Sequence, residues 1–234
     1  MFLKRSYSPE IMDDFSIQDE RIDSALDELK NANRFLGGIS TTREGLKLLL
    51  KWHPENGIRQ PGGEISILDI GSGASDNLLS LKNEFPLIRI TAIDLNKRAC
   101  KYLKSSSGLD VVCADTLTIP VKAKYFDMVH SSLFLHHFTG EEIGQILKAL
   151  IGISRKGIII NDLRRSVLAL AGIKIVAALF SKSEMFKNDG PLSVKRGFVK
   201  KELIEIMNLA GINNFTLKRK WAFRWMLVIY INNE

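Results

Sequence analysis

The residues best suited to chemistry lie where an apolar run meets a glycine-rich turn. The segment 65–76 reads ISILDIGSGASD, so that Asp69 closes the run just before Gly71 and Gly73. Glycines allow positive φ and let a ligand approach the main chain, while the helix that follows offers unpaired N–H groups. Asp94 ends the next apolar run, about 20 residues farther on, where a carboxylate that binds ribose hydroxyls is expected. The pattern predicts a site for a nucleotide-like ligand.

These residues need a framework that brings the ends of several strands together. Apolar runs predict strands near 65–70, 89–94, 109–113, 125–130 and 157–161, separated by helical segments. Such an order predicts an α/β fold with a parallel sheet covered on both faces. The end of the chain differs, because a helix at 199–210 is followed by two close strands, 215–220 and 223–231, which predict an antiparallel hairpin. An irregular arm and two helices, at 17–36 and 41–52, are predicted to come first.

Composition narrows the class of protein. A chain of 234 residues with 45% hydrophobic content suits one α/β domain with an embellishment. Cys100 and Cys113 are too few for a disulfide framework and lack zinc-type spacing, so we expect a soluble protein of the reducing cytoplasm. The formal charge of +7 is compatible with an anionic partner such as nucleic acid or an acidic lipid surface, and equally with a solvated basic surface.

With these motifs the chain resembles the class I S-adenosylmethionine-dependent methyltransferases, especially the small-molecule group that includes the ubiquinone and menaquinone methyltransferases. The likeness runs from about Gly38 to the C-terminus and is strongest over 65–138. It implies a Rossmann-like sheet of seven strands, mostly parallel with an antiparallel C-terminal hairpin. An N-terminal arm and helical cap would occupy residues 1–60. The methyltransferase domain would span 61–234, with an apolar lid insertion at about 163–195.

The resemblance also implies a set of contacts for S-adenosylmethionine as cofactor. Asp69 would accept hydrogen bonds from its ammonium group, Asp94 would bind the ribose hydroxyls, and Asp115 would lie beside the adenine. Ser75 stands where many relatives have a third glycine, a departure that could lower cofactor affinity without harming the fold. The cofactor residues expected from the resemblance are Asp69, Gly71, Ser72, Gly73, Asp94, Leu95, Asp115, Thr116 and, near the methionine moiety, Ser131.

The residues that would contact the methyl acceptor are less clearly marked in the sequence than those for the cofactor. His136 and His137 are candidate general bases because imidazole titrates near neutrality, with a structural role as the alternative. Asp162, with Arg164 nearby, follows the fifth predicted strand and is a candidate for substrate contact or for capping the next helix. Arg34 could reach the cofactor carboxylate or an anionic substrate, or simply be a surface residue. We expect no metal, since no dense cluster of metal-binding residues appears along the chain.

The segment 167–180 is apolar nearly throughout and too short to span a bilayer. It predicts a buried or lid helix that could roof an apolar pocket for an aromatic, quinone-like or lipid acceptor. Simple core packing and attachment to a membrane surface are the alternatives.

The function predicted is therefore methyl transfer from S-adenosylmethionine to oxygen or carbon of a small hydrophobic acceptor. A dinucleotide-dependent oxidoreductase is a competing class, but Asp69 directly before the turn and the missing third glycine count against it. An RNA methyltransferase is the alternative that the positive charge suggests, although Ser131-Ser-Leu-Phe134 stands where base-amino methylation needs an Asn-Pro-Pro-Tyr-like tetrapeptide. A catalytically idle module that binds cofactor or a partner protein is a third reading.

Overall fold

The computed structural model describes residues 4–52, 63–116 and 121–232. One sheet of seven strands runs through it in the order β3-β2-β1-β4-β5-β7-β6. All neighbouring pairs among β1 to β5 are parallel, whereas β7 is antiparallel to both β5 and β6. The strands are β1 (Ile65–Ile70), β2 (Ile88–Asp94), β3 (Asp110–Cys113), β4 (Phe126–Ser132), β5 (Ser154–Leu163), β6 (Phe215–Lys220) and β7 (Arg224–Tyr230).

Eight α-helices of the described part lie on the two faces and one end of this sheet, and two short 3-10 turns, Ile11–Asp13 and Leu135–His137, lie beside its carboxyl edge. The helices are α1 (Glu20–Phe35), α2 (Gly38–Trp52), α3 (Asp76–Leu79), α4 (Lys97–Ser107), α5 (Gly140–Ile153), α6 (Val167–Phe180), α7 (Glu184–Arg196) and α8 (Lys200–Leu209). The predicted α/β fold, with its mostly parallel seven-stranded sheet and C-terminal hairpin, is confirmed.

The central strands are buried on both faces because successive side chains point into different hydrophobic cores. In β1, Leu68 belongs to the core that Leu147 of α5 helps to form, whereas Ile67 packs with Leu46 and Leu49 of α2. Helix α2 is thus a layer of the fold rather than part of a detached cap. It begins at Gly38, three residues before the predicted start, and its predicted stop at 53–54 lies outside the described residues.

The insertion predicted at 163–195 forms two consecutive helices, α6 and α7, which pack against each other. The expectation of simple core packing for segment 167–180 is wrong, because α6 turns its small residues Ala169 and Ala177 inward and leaves large ones in solvent. Leu168 is 70% exposed and Phe180 76% exposed. Within the described residues, no helix combines the length and the apolarity that crossing a membrane requires.

Candidate cofactor and acceptor site

A cavity of about 390 Å³ opens at the carboxyl ends of β1, β2 and β4. This is the edge at which open α/β sheets bind ligands, and the volume falls in the range of roughly 300–1,000 Å³ that is usual for small-molecule sites. The glycine turn after β1 forms one wall, α1 and α7 form another, and the arm at residues 4–19 covers the top. The structure therefore brings the N-terminal arm, the insertion and the strand ends to one place.

Asp69 lies at the end of β1 and is 3% exposed, yet it lines the cavity. His130 Nδ1 donates to its Oδ1 at 2.6 Å, and Ser75 Oγ donates to its Oδ2 at 2.5 Å. Thr42 Oγ1 lies 3.0 Å from His130 Nε2 and accepts a hydrogen bond from Asn161. This chain of hydrogen bonds fixes the carboxylate of Asp69 in place.

The turn after β1 needs left-handed backbone at three alternate residues. Gly71, Gly73 and Ser75 have φ of 55°, 48° and 49°. Phe134 packs so closely on Gly71 that a Cβ there would lie 2.1 Å from its ring. Ser75, the residue in the place of a third glycine, accepts the left-handed conformation that costs a non-glycine residue about 1–2 kcal/mol. Its hydrogen bond to Asp69 offsets that cost.

Asp94 is fixed by the main chain of two turns. Its Oδ2 accepts from the N–H of Gly73 at 2.8 Å, and its Oδ1 accepts from the N–H of Asn96 at 2.9 Å. Burial raises the pKa of Asp94 above its ordinary value, against the effect of these hydrogen bonds. Leu95, Asp115 and Thr116 line the same cavity. The three acids at the ends of β1, β2 and β3 thus face one space.

Ser131 occupies a different position from the one expected. It is fully buried and is not among the residues that line the cavity, whereas the next residue, Ser132, does line it. Because side chains alternate along a strand, His130 and Ser132 share the face of β4 that Asp69 neighbours, and Ser131 points the other way. Asn77 Nδ2 donates to Ser132 Oγ at 2.8 Å, which orients this hydroxyl.

Arg34 is exposed and does not line the cavity, so the structure gives no contact for the role that we expected of it. An arginine from the far end of the chain lines the cavity instead. Arg224 of β7 is 2% exposed and donates to Leu36 O, Asn161 Oδ1 and Asn33 Oδ1 at 2.7–3.0 Å. Burial lowers the pKa of Arg224 to about 10, which leaves it charged at neutral pH.

Four residues that we call the roof cluster, Glu10, Asp13, His136 and His137, lie where the arm meets the turn after β4. His136 Nε2 is 3.4 Å from Glu10 Oε1, and His137 Nδ1 is 2.6 Å from Asp13 Oδ1. The two imidazole rings lie one over the other with centroids 4.3 Å apart. All four residues line the cavity. Sequence reasoning missed Glu10 and Asp13, because only the fold brings the arm to the histidines.

Asp162 holds His136 rather than facing the cavity. It is 1% exposed, accepts from His136 Nδ1 at 2.8 Å, and also accepts from the backbone N–H of His136. Neither Asp162 nor Asn161 caps α6, and Arg164 stacks on the Phe223 ring outside the cavity lining. The substrate contacts expected of Asp162 and Arg164 are therefore not supported.

The electrostatics of His136 argue against its use as a general base. Burial alone would lower the pKa of His136, but pairing with Asp162 and Glu10 raises it to about 9. Pairing with His136 in turn lowers the pKa of Glu10 in spite of burial. An imidazole that holds its proton at neutral pH does not accept another from a substrate.

The comparisons with known proteins agree with this geometry. Residues 67–157, which run from β1 into β5, match the family model described as a methyltransferase domain. Over these residues the chain is similar to a methyltransferase domain. No curated protein matches it in sequence. Neither this match nor the structural likeness singles out the ubiquinone and menaquinone group.

Solved structures extend the likeness beyond the matched segment. Human N-acetylserotonin methyltransferase, in complex with S-adenosylmethionine, is 12% identical with a TM-score of 0.67, over 97% of this chain and 60% of that one. The plantazolicin methyltransferase BpumL, with a monoazolic analogue and S-adenosylhomocysteine, is 16% identical with a TM-score of 0.66, over 91% and 90% of the two chains. Magnesium protoporphyrin IX methyltransferase from Synechocystis is 12% identical with a TM-score of 0.56, over 92% and 98%. The chain has the class I methyltransferase fold.

The cavity is strongly acidic although the chain as a whole is basic. Among the described residues, seven carboxylates line it, against one arginine. A cavity of this kind attracts a cation and repels phosphate groups. The seven are Glu10, Asp13, Asp69, Asp76, Asp94, Asp115 and Asp189.

Proposed function

We propose that this methyltransferase transfers the methyl group of S-adenosylmethionine to an oxygen or carbon of a small, largely hydrophobic acceptor. The observation that carries the proposal is the single cavity that joins the glycine turn and three strand-end acids to an apolar wall. The cofactor has a positive sulfonium and a positive ammonium group, which suit a cavity lined by carboxylates. The solved relatives with bound S-adenosylmethionine or S-adenosylhomocysteine support the same cofactor.

In this proposal each strand-end acid binds or faces a different part of the cofactor. Asp69, held by His130 and Ser75, accepts from the ammonium group, and Asp94 accepts from the ribose hydroxyls. Asp115 lies toward the adenine. Gly71 and Gly73 leave room for the methionine part to approach the main chain. Leu95 and Thr116 complete the adenosine end, and Ser132 takes the contact that was expected of Ser131.

The chemical step needs few catalytic side chains. A lone pair of the acceptor attacks the methyl carbon, the carbon–sulfur bond breaks, and the electron pair stays on sulfur, which gives neutral S-adenosylhomocysteine. The protein mainly holds both reactants in line and excludes water. Since His136 keeps its proton at neutral pH, the acceptor group must be one that loses its own proton readily, such as a phenol or an activated carbon acid.

The acceptor end of the cavity supports a hydrophobic substrate. It lies between the arm, α1 and α7, beside the roof cluster. We place an aromatic or other apolar acceptor there, with its reacting atom toward the glycine turn. The apolar residues that line this end are Met12, Phe15, Leu29, Phe138, Ile173, Phe186 and Val194.

Two measurements test the proposal. Calorimetric titration should give binding of S-adenosylhomocysteine that Asp94→Asn weakens at least tenfold, whereas NADH should not bind. Incubation with labelled cofactor and a cell extract should place the label in the organic-soluble small-molecule fraction. Label in RNA would favour the RNA reading, and cofactor binding without any labelled product would favour the idle module.

Helix α6 supports a further part of the proposal, contact with a lipid surface that carries the acceptor. Its outward residues are apolar except for Lys174, and Leu168 and Leu179 are each 70% exposed. An amphipathic or apolar helix of this length can lie in a membrane interface without crossing it. Flotation with anionic vesicles should recover the wild-type protein and not a Leu168→Glu/Leu179→Glu variant; equal recovery would reject the contact.

A further inference from the structure

We propose that the roof cluster binds a divalent transition-metal ion through Glu10, His136 and His137. Glu10 Oε1, His136 Nε2 and His137 Nδ1 are buried, and none of them makes a hydrogen bond of acceptable geometry, although His137 Nδ1 lies 2.6 Å from Asp13 Oδ1. The three atoms lie within 4.8 Å of one another. Because buried polar atoms are nearly always paired, three that face one another indicate a shared cationic ligand.

The orientation of His136 supports this assignment. Its Nδ1–H donates to Asp162 Oδ1 at 2.8 Å, so the lone pair of Nε2 points toward Glu10 Oε1. When Nε2 carries no proton, both of these facing atoms are acceptors, so a metal ion that replaces the proton would be bound by both of them. A carboxylate behind a histidine, with the other ring nitrogen directed at the ion, is the usual second layer of a metal site.

The spacing of two of these atoms is compatible with an ion between them. A charge-assisted N–H···O bond measures about 2.7–2.9 Å, whereas His136 Nε2 and Glu10 Oε1 are 3.4 Å apart. Two ligands about 2.0–2.2 Å from one tetrahedral ion lie roughly 3.4 Å from each other. The separation of the two atoms therefore suits two ligands of one ion.

The charges around the cluster also favour a dication. Four carboxylates and two arginines converge there, so two negative charges remain when both imidazoles are neutral. Imidazole and carboxylate donors select zinc, cobalt, nickel or ferrous iron rather than magnesium or calcium. The six groups are Glu10, Asp13, Asp162, Asp189, Arg5 and Arg196.

Such an ion would tie the arm to the body of the protein. Glu10 belongs to the arm, whereas His136 and His137 belong to the turn after β4. The backbone N–H groups of Ile11 and Met12 are already held by Asp189 of α7. A metal bond at Glu10 would add a second attachment and close the roof over the acceptor end of the cavity.

Titration of tag-free protein with Zn²⁺ or Co²⁺ alone tests the proposal. Calorimetry should give one site, and Co²⁺ should develop the visible absorption of a tetrahedral complex with nitrogen ligands. Glu10→Gln and His137→Gln should each weaken binding at least tenfold and remove that absorption. His130→Gln changes a buried histidine that is hydrogen-bonded to Asp69 and Thr42, and it should leave the metal affinity and the visible absorption unchanged.

The unfolding midpoint of each variant, measured first without metal, establishes that it folds. Glu10→Gln is the safer variant, because the arm lies outside the sheet. Absence of binding in the wild type, or binding that survives both substitutions, would overturn the proposal and leave His136 and Glu10 bridged by a proton. Methyl transfer is not used as a readout, so either result leaves the proposed function as it stands.

Discussion

Ser75→Ala and Ser75→Gly should destabilise the protein by different amounts, because the native serine combines an unfavourable backbone with a favourable hydrogen bond. Its φ of 49° costs a non-glycine residue about 1–2 kcal/mol, and its bond to the buried carboxylate of Asp69 contributes about 1.5–3 kcal/mol. Alanine keeps the cost and loses the bond, so we expect a loss of about 2 kcal/mol. Glycine loses the bond but relieves the backbone, so we expect a loss of about 1 kcal/mol.

Urea unfolding followed by tryptophan fluorescence measures both differences. Ser80 gives the matched control, because it is exposed and lies at the end of the same short helix with an ordinary φ of −64°. There glycine should be less stable than alanine, by up to about 1 kcal/mol. A Ser75→Ala variant at least as stable as Ser75→Gly would refute the argument from backbone strain. Unchanged stability in both Ser75 variants would refute the hydrogen bond.

Three other outcomes follow from the same geometry. Burial raises the pKa of Asp94, so affinity for S-adenosylhomocysteine should fall as acidification protonates this carboxylate, while the free protein gains stability from the same protonation. Calorimetry at several pH values should show that Asp94→Asn lacks this dependence of affinity on pH. Gly71→Ala should lower stability by about 2–3 kcal/mol, since its Cβ would meet Phe134 at 2.1 Å and its φ is +55°; a midpoint within error of wild type would contradict this. Arg224→Lys should lower the free energy of unfolding by about 3 kcal/mol, because lysine cannot reach all three acceptors that the guanidinium binds. A decrease below about 1 kcal/mol in denaturant unfolding would show that the guanidinium group is not needed there.

The sheet and the glycine turn were predictable because their signals are local. Strand periodicity, the acid before the turn and the close C-terminal strands all lie within short windows of sequence. The hydrogen-bond partner of Asp69 was not predictable, because it depends on which residues of β1 and β4 lie side by side. Asp69 pairs directly with His130 across β1 and β4, and a shift by one residue would have presented Ser131 instead.

Long-range contacts explain the other differences. Arg34 and Arg224 are residues of the same type, and only the pairing of β7 beside β5 brings the second to the cavity. Glu10 and Asp13 come from an arm with no periodic pattern, so their approach to His136 and His137 had no signal in sequence. The sequence left the burial of helix α6 open, because apolar residues are usually buried, whereas its large side chains lie in solvent.

We expect the acceptor of the proposed reaction to enter by displacing the arm. It covers the cavity, yet its own large apolar residues are poorly buried, since Tyr7 is 58% and Phe15 48% exposed. Its attachment therefore depends on hydrogen bonds and ion pairs, which contribute little net free energy each, rather than on an apolar core. Segments of this kind open well below the cost of global unfolding. The amides of Ile11 and Met12, held by Asp189, should consequently exchange hydrogen much faster than those of β1, and equal protection would mean that entry lies elsewhere.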